Sequence, residues 1–580
     1  MIRAVTTSVV SIRPTVFSLL SSLIFSELFV LSQSIGALYS ANMHANKMFI
    51  LRRQGCHHVT KRCVSTVAVP SEATSVVTSV KSYSEIPRVS TAKALWELTF
   101  SERKLKIDQV LADYFAEHGP IVKLVMPGQD DRLLVRDPQA MKTVMEHDGK
   151  NPIEPGFDHM VYYRNNIRKE LFPETTGVAG SHGEAWYENR SQVQKDMMRP
   201  KSAMFYINDI EEVTNDFLEL VSDSLDHNDE VDDLLDLVNR WTLESVVAMF
   251  LDMRINCLEK HLPDDSDVKK FVNAVKVVTG QEGNDMAYGI PLWKYFSTPT
   301  FKRFDKANIE IYDISKNFID KAIAGMDAAD GKSYDEMSVL QKLIRRCGPA
   351  SQIPHVMSQD GILAGVDTTG TTAAFLLLDL ARNPEQQEEL WREVRAVVGE
   401  HGQVTEAKLN QMKYLKACLH ESQRLWPAAS GFSRRTQVEM VVEGYEVPRG
   451  VVVTYFIMLA ARDPAQFPAP SSFLPARWLR GCPAHHSAHP FATVFFSHGA
   501  NKIFFIHKCL FYTPQDPGRV SGGGSRSWSA TCWPSRCCSA TAWSTTTATW
   551  GSTPSSSTNR TRTSDSSSSQ DDKLKLYFSI

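Results

Sequence analysis

The spacing of apolar residues predicts a domain made mostly of helices. Apolar side chains recur at the helical period in four segments, at 105–118, 208–252, 304–325 and 355–382. The second segment contains an acidic stretch at 226–233, which we expect to be a solvated loop. Asn383-Pro384 ends the fourth segment, and Pro384 begins a further helix that Gly399 closes. Short β-branched runs at 121–125, 132–136 and 438–458 predict strands, so the pattern indicates a mainly α fold with small peripheral β-sheets.

This pattern occupies the middle of the 580-residue chain. We expect a leader and linker at 1–90, the folded domain at 91–500 and a tail without a core at 501–580. Between 519 and 570, 26 of 52 residues are Ser or Thr, and no Leu or Ile occurs from 511 to 573. A buried face cannot form from such a composition. The four Trp and three Cys residues between 519 and 570 are typical of a translated foreign reading frame or a retained intron.

The amino-terminal leader favours mitochondrial import. The first 71 residues contain a single acid, Glu27, together with seven basic residues and many Ser residues. The apolar stretch 14–39 leaves an alternative open, a signal anchor in the endoplasmic reticulum membrane. The net charge of −3 gives no reason to expect a nucleic-acid partner. The ten cysteines lack the paired spacing of a zinc site.

Two pairs of polar residues lie inside segments that otherwise have the composition of a core. Asp367-Thr368 is an acid–alcohol pair within the apolar helix predicted at 355–382, and by itself it is equally consistent with a kinked core helix. Glu421 and Arg424 stand at i and i+3, so they share one face of another helix. A buried carboxylate and guanidinium need further partners, and Arg477 is available to supply one.

In this order the segments resemble the cytochrome P-450 family, the haem-thiolate monooxygenases. The resemblance is carried by Ala-Gly-Val-Asp-Thr-Thr at 364–369, Glu-Ser-Gln-Arg at 421–424, Ala-Arg-Asp-Pro at 461–464 and Phe-Leu-Pro-Ala-Arg-Trp at 473–478. It covers about residues 90 to 500, and Ala476 replaces a usual Glu. The family's fold would place haem between a long central helix and a C-terminal ligand loop. The resemblance also implies roles in proton relay or in holding the fold for Asp367, Thr368, Glu421, Arg424 and Arg477.

The resemblance further implies which residues hold haem b. Trp186 and Arg190 lie one helical turn apart and match positions that bind the haem propionates. Arg435 matches another such position, and the neighbouring Arg434 leaves that assignment open by one residue. A guanidinium is suited to this task because it pairs with carboxylates through two parallel hydrogen bonds.

The haem-ligand loop departs from the family's F-x-x-G-x-R-x-C-x-G. Phe496 and Gly499 match its beginning, but Ile503 occupies the position of the iron-binding Cys. Cys509, six residues later, is a weak candidate without the glycine-framed turn. A thiolate ligand supplies the electron density that favours O–O cleavage. The sequence therefore leaves no metal ligand secure and puts thiolate ligation in question.

Other segments resemble the animal mitochondrial branch of the family, and its arthropod members in particular. They are Tyr-Tyr-Arg at 162–164 and Gly-Glu-Ala-Trp-Tyr-Glu-Asn-Arg at 183–190. This branch implies an adrenodoxin-type [2Fe–2S] ferredoxin with its NADPH-dependent reductase, and peripheral association with the matrix side of the inner membrane. Lys416 matches a ferredoxin-docking lysine, while His420 stands where a second lysine is usual. The loops at about 152–172 and 280–292 are expected to select a small lipophilic substrate, a steroid or a xenobiotic.

Two functions follow from this reading of the sequence. The first is a mitochondrial monooxygenase that inserts one oxygen atom of dioxygen into a lipophilic substrate. The second is a truncated or mis-spliced chain of the same family that binds haem poorly and has no activity. The two differ in whether a sulfur ligand reaches the iron.

Overall fold

The computed structural model describes residues 80–149, 151–197, 206–227, 230–326, 333–399 and 404–494. Most of these residues are helical. In chain order the helices are α1 Thr91–Leu95, α2 Ile107–His118, α3 Pro138–Glu146, α4 Asp158–Tyr162, α5 Gly183–Met197, α6 Ile207–Asp223, α7 Leu234–Leu251, α8 Asp267–Thr279, α9 Gln281–Tyr288, α10 Pro299–Ala324, α11 Val339–Cys347, α12 Ile353–Arg382, α13 Pro384–Val398, α14 Glu406–Gln411, α15 Lys413–Leu425 and α16 Ile457–Ala460. The predicted tail and nearly all of the predicted leader lie outside the described residues.

The long helical segments predicted from the sequence are confirmed. The patterns at 105–118, 304–325 and 355–382 correspond to α2, α10 and α12, with ends that differ by a few residues. The pattern at 208–252 forms two helices, α6 and α7, and the acidic stretch lies between them. Asp233 closes that connection by accepting a hydrogen bond from the backbone N–H of Asp236 in the first turn of α7. A side-chain oxygen at this position satisfies a donor that the helix itself leaves unpaired.

Helix α12 is the central element of the fold. It packs against α7, α8, α10 and α15, and most of its residues are buried. Pro354 lies in its first turn, where a missing N–H costs nothing, and Asn383 before Pro384 ends it. Among the described residues it is the one helix long and apolar enough to cross a membrane, and 61% of its most apolar window is buried inside the protein. This burial is expected of a core helix.

Glycines allow α7 and α12 to approach closely. A Cβ atom at Gly361 would collide with the ring of Phe250, and one at Gly370 would collide with the side-chain oxygen of Asn239. Phe250 and Asn239 both belong to α7. The contact between these two helices therefore depends on the absence of side chains at two positions of α12.

Two small sheets lie beside the helices. The strands are β1 Ile121–Leu124, β2 Arg132–Val135, β3 Phe432–Arg435, β4 Met440–Val442, β5 Tyr445–Val447 and β6 Val452–Tyr455. The larger sheet has the order β1-β2-β6-β3, with β2 and β6 parallel and the other pairs antiparallel. β4 and β5 form a hairpin that turns at Glu443 and Gly444, both with positive φ. These strands confirm the small peripheral β-sheets expected from the sequence.

Candidate active site

A large cavity lies against one side of α12. Its volume is about 1870 Å³, open solvent at its mouth included. The wall is formed by α12, the start of α4, the segment 178–182, α5, the junction of α8 and α9, and the segment 428–433. Both loops expected to select the substrate contribute to it, through Pro152–Met160 and Gly283–Ala287. Most of the lining side chains are apolar, which is typical of a site for a lipophilic ligand.

Asp367 and Thr368 both line this cavity from α12. The hydroxyl of Thr368 donates to the carbonyl of Ala364 at 2.7 Å. A second hydroxyl, that of Thr242 on α7, is 3.1 Å from the carbonyl of Val366. Side-chain hydroxyls therefore contact two carbonyls of α12 next to the acid–alcohol pair, and such contacts bend helices slightly.

The surroundings of the Asp367 carboxyl group change its acidity. Burial raises its pKa, and the neighbouring Thr279 hydroxyl and Lys276 charge oppose that rise only in part. A raised pKa brings a carboxyl group closer to the range in which it can both hold and release a proton near neutral pH. The pair thus combines an acid of raised pKa with an alcohol on one wall of the cavity.

Trp186 and Arg190 form a buried pair on α5. Trp186 lines the cavity and is 3% exposed, and the guanidinium carbon of Arg190 lies 5.1 Å from the centre of its ring. Arg190 is itself buried, and its Nε donates to Gln194 at 3.4 Å. The structure therefore brings an indole and a guanidinium together at the cavity wall, as their spacing in the sequence predicts.

The two neighbouring arginines of β3 point in different directions. Arg435 forms an ion pair with Asp130 at 2.7 Å and donates to the carbonyl of Gly450, and neither it nor its partners line the cavity. Arg434 is fully buried and pairs with Asp148 at 2.6 Å and with Glu154 at 3.4 Å. Glu154 is part of the cavity wall. Successive side chains of a strand alternate between its faces, so only one of the two can face the interior.

Glu421 is the centre of a buried ionic network. It pairs with Arg424 through two hydrogen bonds of 2.9 and 2.8 Å, and it accepts another from Arg477 at 2.9 Å. The indole N–H of Trp478 and the backbone N–H of Leu474 each add a hydrogen bond of 2.9 Å. The carboxylate thus accepts five hydrogen bonds at zero exposure. A buried charge requires a full set of hydrogen-bond partners of this kind.

The two arginines of this network also bind backbone carbonyls. Arg424 donates to the carbonyls of Ala461, Pro470 and Ser472. Arg477 donates to those of Pro468 and Ala469. The network therefore fixes the course of the chain from 461 to 478 onto α15. It lies within the core rather than at the cavity, and its role is to position other elements.

Sequence reasoning missed a second buried ion pair beside the cavity. Arg164 and Asp360 are 2.7 Å apart, and Asp360 also accepts from the backbone N–H of Ala179 at 3.1 Å. Arg164 donates in turn to the carbonyl of Thr176. The segment 176–179 is thereby attached to α12. The sequence gives no local signal for this pair, because its members are separated by 196 positions.

The remaining predicted site residues lie elsewhere. Phe496, Gly499, Ile503 and Cys509 fall outside the described residues. Lys416 is half-buried on α15, and its ammonium group is 3.4 Å from the side-chain oxygen of Asn410. His420 stacks on Trp478, with 5.1 Å between the ring centres.

The described residues fit the ring and the carboxylates of haem. The cavity offers an apolar wall, the indole of Trp186 and, within or behind that wall, the buried guanidinium groups of Arg190 and Arg434. Buried carboxylates such as the propionates need cationic partners of this kind. No cysteine is among the described residues that line the cavity. The family's ligand loop corresponds to the chain after residue 494, outside the described residues, and there the sequence leaves no sulfur ligand secure.

Comparison with known proteins gives a consistent answer. Residues 87–501 match the family model described as Cytochrome P450. "Cytochrome P450 CYP12A2" of Musca domestica is 34% identical over 411 residues, 69% of this chain and 76% of the relative. "Probable cytochrome P450 12a5, mitochondrial" of Drosophila melanogaster is 31% identical over 72% of this chain and 81% of its own length. "Sterol 26-hydroxylase, mitochondrial" of Homo sapiens is 30% identical over 72% of this chain and 79% of its own length.

Proposed function

The chain belongs to the cytochrome P450 family of haem monooxygenases, and on that premise we propose that it oxidises a lipophilic substrate with electrons supplied by a ferredoxin. The overall reaction inserts one atom of dioxygen into a C–H bond and releases the other as water, which consumes two electrons and two protons. The observation that carries the proposal is the position of Asp367 and Thr368 on the wall of a large, mostly apolar cavity. Haem bound in this cavity would supply the activation of dioxygen.

The residues of the chain would supply binding, orientation and protons. Burial raises the pKa of Asp367, so its carboxyl group would take part in proton transfer, and the adjacent Thr368 hydroxyl would place an exchangeable proton on the same wall. Trp186 and Arg190 would hold the haem carboxylates on the side of α5. The apolar wall would orient the substrate and exclude water, so that protons arrive through the polar pair rather than from bulk solvent.

The mitochondrial and ferredoxin-dependent part of the proposal rests on the relatives and on the leader. Two of the three relatives carry "mitochondrial" in their names. The acid-poor leader is of the kind that mitochondrial import recognises. Lys416 on α15 would provide one cationic contact for an acidic ferredoxin, at some cost in steering because His420 replaces a second lysine.

Peripheral membrane association is supported by exposed aromatic side chains near the cavity. Trp96, Phe100, Tyr295 and Phe296 are between 58% and 81% exposed. Lys104 and Asp285 form an ion pair of 3.3 Å. This pair connects the chain just after Phe100 with the chain that precedes Tyr295. Leu98, between Trp96 and Phe100, lines a second cavity of about 880 Å³ together with Asp285 and Gly289, and this cavity shares Asn284 and Ser430 with the large one. A lipophilic substrate would then pass from the lipid surface towards the site.

The test is reconstitution of the purified full chain with haem, ferredoxin, reductase and NADPH. We expect haem uptake, substrate-dependent product, and a lower yield of product per electron in Thr368→Ala. Thr371→Ala, on the same helix and outside the cavity lining, is the matched control. The carbon monoxide difference spectrum of the reduced protein would report whether sulfur binds the iron. Haem uptake without any product would contradict the proposed activity.

A further inference from the structure

We propose that His159 recognises an oxygen atom, a carbonyl or hydroxyl oxygen, on an otherwise apolar substrate. This inference rests on the proposed function, since it concerns the ligand of the same cavity. His159 belongs to α4 and lies on the cavity wall. It is 9% exposed, and it stands next to the apolar Met160 of the same wall.

The imidazole of His159 has hydrogen-bonding capacity that the protein leaves unused. Within the described part of the chain its ring contacts are an edge-on approach to Phe304, with 5.8 Å between the ring centres, and no hydrogen bond to either nitrogen. Nδ1 is fully enclosed. Nε2 is therefore the ring nitrogen accessible from the cavity. A ring nitrogen that lines a ligand-sized cavity and has no hydrogen-bond partner in the protein is available to an atom of the ligand.

The imidazole is neutral at physiological pH. Burial lowers the pKa of His159 to about 4, although the nearby Asp158 opposes this shift. A neutral ring carries one N–H and one lone pair. Placing the hydrogen on Nε2 leaves only a lone pair at the enclosed Nδ1 and directs the donor into the cavity. His159 then recognises a neutral oxygen atom that accepts a hydrogen bond, not a charged group.

Contacts between the end of α4 and α10 hold the ring in place. Tyr163 meets the same Phe304 edge-on at 5.6 Å and donates from its hydroxyl to Asp305 at 2.9 Å. Arg168 adds a hydrogen bond of 2.8 Å to Asp305. These contacts attach the end of α4 to α10. The His159 side chain therefore loses little conformational entropy when a ligand binds.

Two acidic side chains near His159, Asp360 and Asp158, are already paired, unlike its ring. Asp360 pairs with Arg164 and with the N–H of Ala179. Asp158 and His182 pair with each other at 2.8 Å. These groups have partners already, whereas His159 offers a directed donor in apolar surroundings. A hydrogen bond formed there would discriminate between ligands that have an oxygen atom and hydrocarbons that lack it.

The experiment measures the affinity of the full chain, with haem supplied, for tetralin, 1-tetralone and 1-tetralol by calorimetry. We expect wild type to bind the two oxygenated ligands more tightly than His159→Phe does, by roughly three- to tenfold, the range of one net hydrogen bond. Tetralin should bind both proteins equally. His159→Gln, which keeps a donor, should retain part of the preference. Met160→Leu, on the same wall, should change the affinity for all three ligands alike.

The outcomes separate the two proposals. Equal loss of affinity for tetralin and 1-tetralone in His159→Phe, or no loss for either, would overturn the role of His159. Failure of wild type to bind any of the three would count against a lipophilic substrate, and therefore against the proposed function itself. Thermal unfolding of each variant distinguishes altered recognition from altered folding, because Phe at 159 preserves the edge-on contact with Phe304.

Discussion

At the scale of single residues, the buried charges lie where their hydrogen bonds fix the course of the backbone. Glu421 has no exposed surface and accepts five hydrogen bonds, three of them from guanidinium groups. The same guanidinium groups bind carbonyls of the segment 461–472. Transfer of these charges out of water is costly, and the complete set of partners offsets that cost. Removal of one member should therefore affect folding far more than the loss of a surface ion pair.

Glu421→Gln should lower the free energy of unfolding by roughly 3–5 kcal/mol, because Arg424 and Arg477 are left buried without their counter-charge. Glu310→Gln is the control, since Glu310 pairs on the surface of α10 with Lys306, which is 78% exposed. The control should lose less than about 1 kcal/mol. Urea unfolding followed by circular dichroism measures both. Similar losses for the two variants would mean that the network does not hold the fold.

The carboxyl group of Asp379 makes the free energy of unfolding depend on pH. Burial raises its pKa to about 6, while hydrogen bonds from Ser422 and Trp426 oppose that shift. The folded protein thus holds this proton more tightly than the unfolded chain, where the carboxyl titrates near 4. Its stabilising contribution is complete below about pH 4 and is lost as the pH rises to about 6.

Asp379→Asn should remove this dependence while keeping an acceptor for the indole N–H of Trp426, now at 3.1 Å. Wild type should lose up to about 3 kcal/mol relative to the variant between pH 4 and pH 7, the equivalent of two pKa units. Unfolding free energies at several pH values check this. Asp313→Asn, on the exposed face of α10, is the control and should leave the wild-type pH profile unchanged. A constant difference between wild type and Asp379→Asn would refute the assignment.

At the scale of elements, the packing of α7 on α12 depends on two glycines. Gly361→Ala would push a methyl group into the ring of Phe250, a fully buried side chain that cannot withdraw. Overpacking of this kind costs roughly 1–3 kcal/mol. Gly325→Ala, at the end of α10, meets only atoms at ordinary contact distance and should be close to neutral. Chemical unfolding of both variants tests this, and a neutral Gly361→Ala would show that the two helices can separate.

Helices and strands could be predicted where their signal is local in the sequence. Contacts between residues that are far apart in the chain could not be predicted. The bounds of α12 follow from its apolar period and from Asn383-Pro384 at its end. The sequence also predicted that Glu421, Arg424 and Arg477 would be partners, because their spacing and apolar neighbours match the pattern of the cytochrome P450 family. Neither Arg164–Asp360 nor the unpaired ring of His159 has such a signal, since both result from the packing of segments far apart in the chain.

Strand register set a different limit on prediction. Arg434 and Arg435 are adjacent in β3, and only the pairing of β3 with β6 decides which of them is buried. A shift of one residue would exchange their environments. The structure pairs Arg434 with Glu154 of the cavity wall and Arg435 with Asp130, so of the two only Arg434 contacts the wall, and we propose Arg434 for the propionate position.

At the scale of the whole molecule, we propose that a lipophilic substrate passes from lipid, past the exposed aromatic side chains, to the cavity beside α12. Leu98 and Gly289 line the smaller cavity, and it shares Asn284 and Ser430 with the large cavity. Exposed Trp, Tyr and Phe side chains are typical of the interface between lipid and water. Anionic lipid would also attract nearby cations such as Lys294.

Replacement of Trp96, Phe100, Tyr295 and Phe296 by Ser should therefore lower the binding of the full chain to anionic phospholipid vesicles by at least about tenfold, because burial of even one aromatic side chain contributes more than about 1.4 kcal/mol. Val438→Ser with Val441→Ser is the matched control, since these two side chains are 45% and 48% exposed on the β4–β5 hairpin. Co-sedimentation with vesicles measures both variants. If both variants sediment as wild type does, the aromatic segments do not contact the membrane, and the substrate must enter the cavity from water.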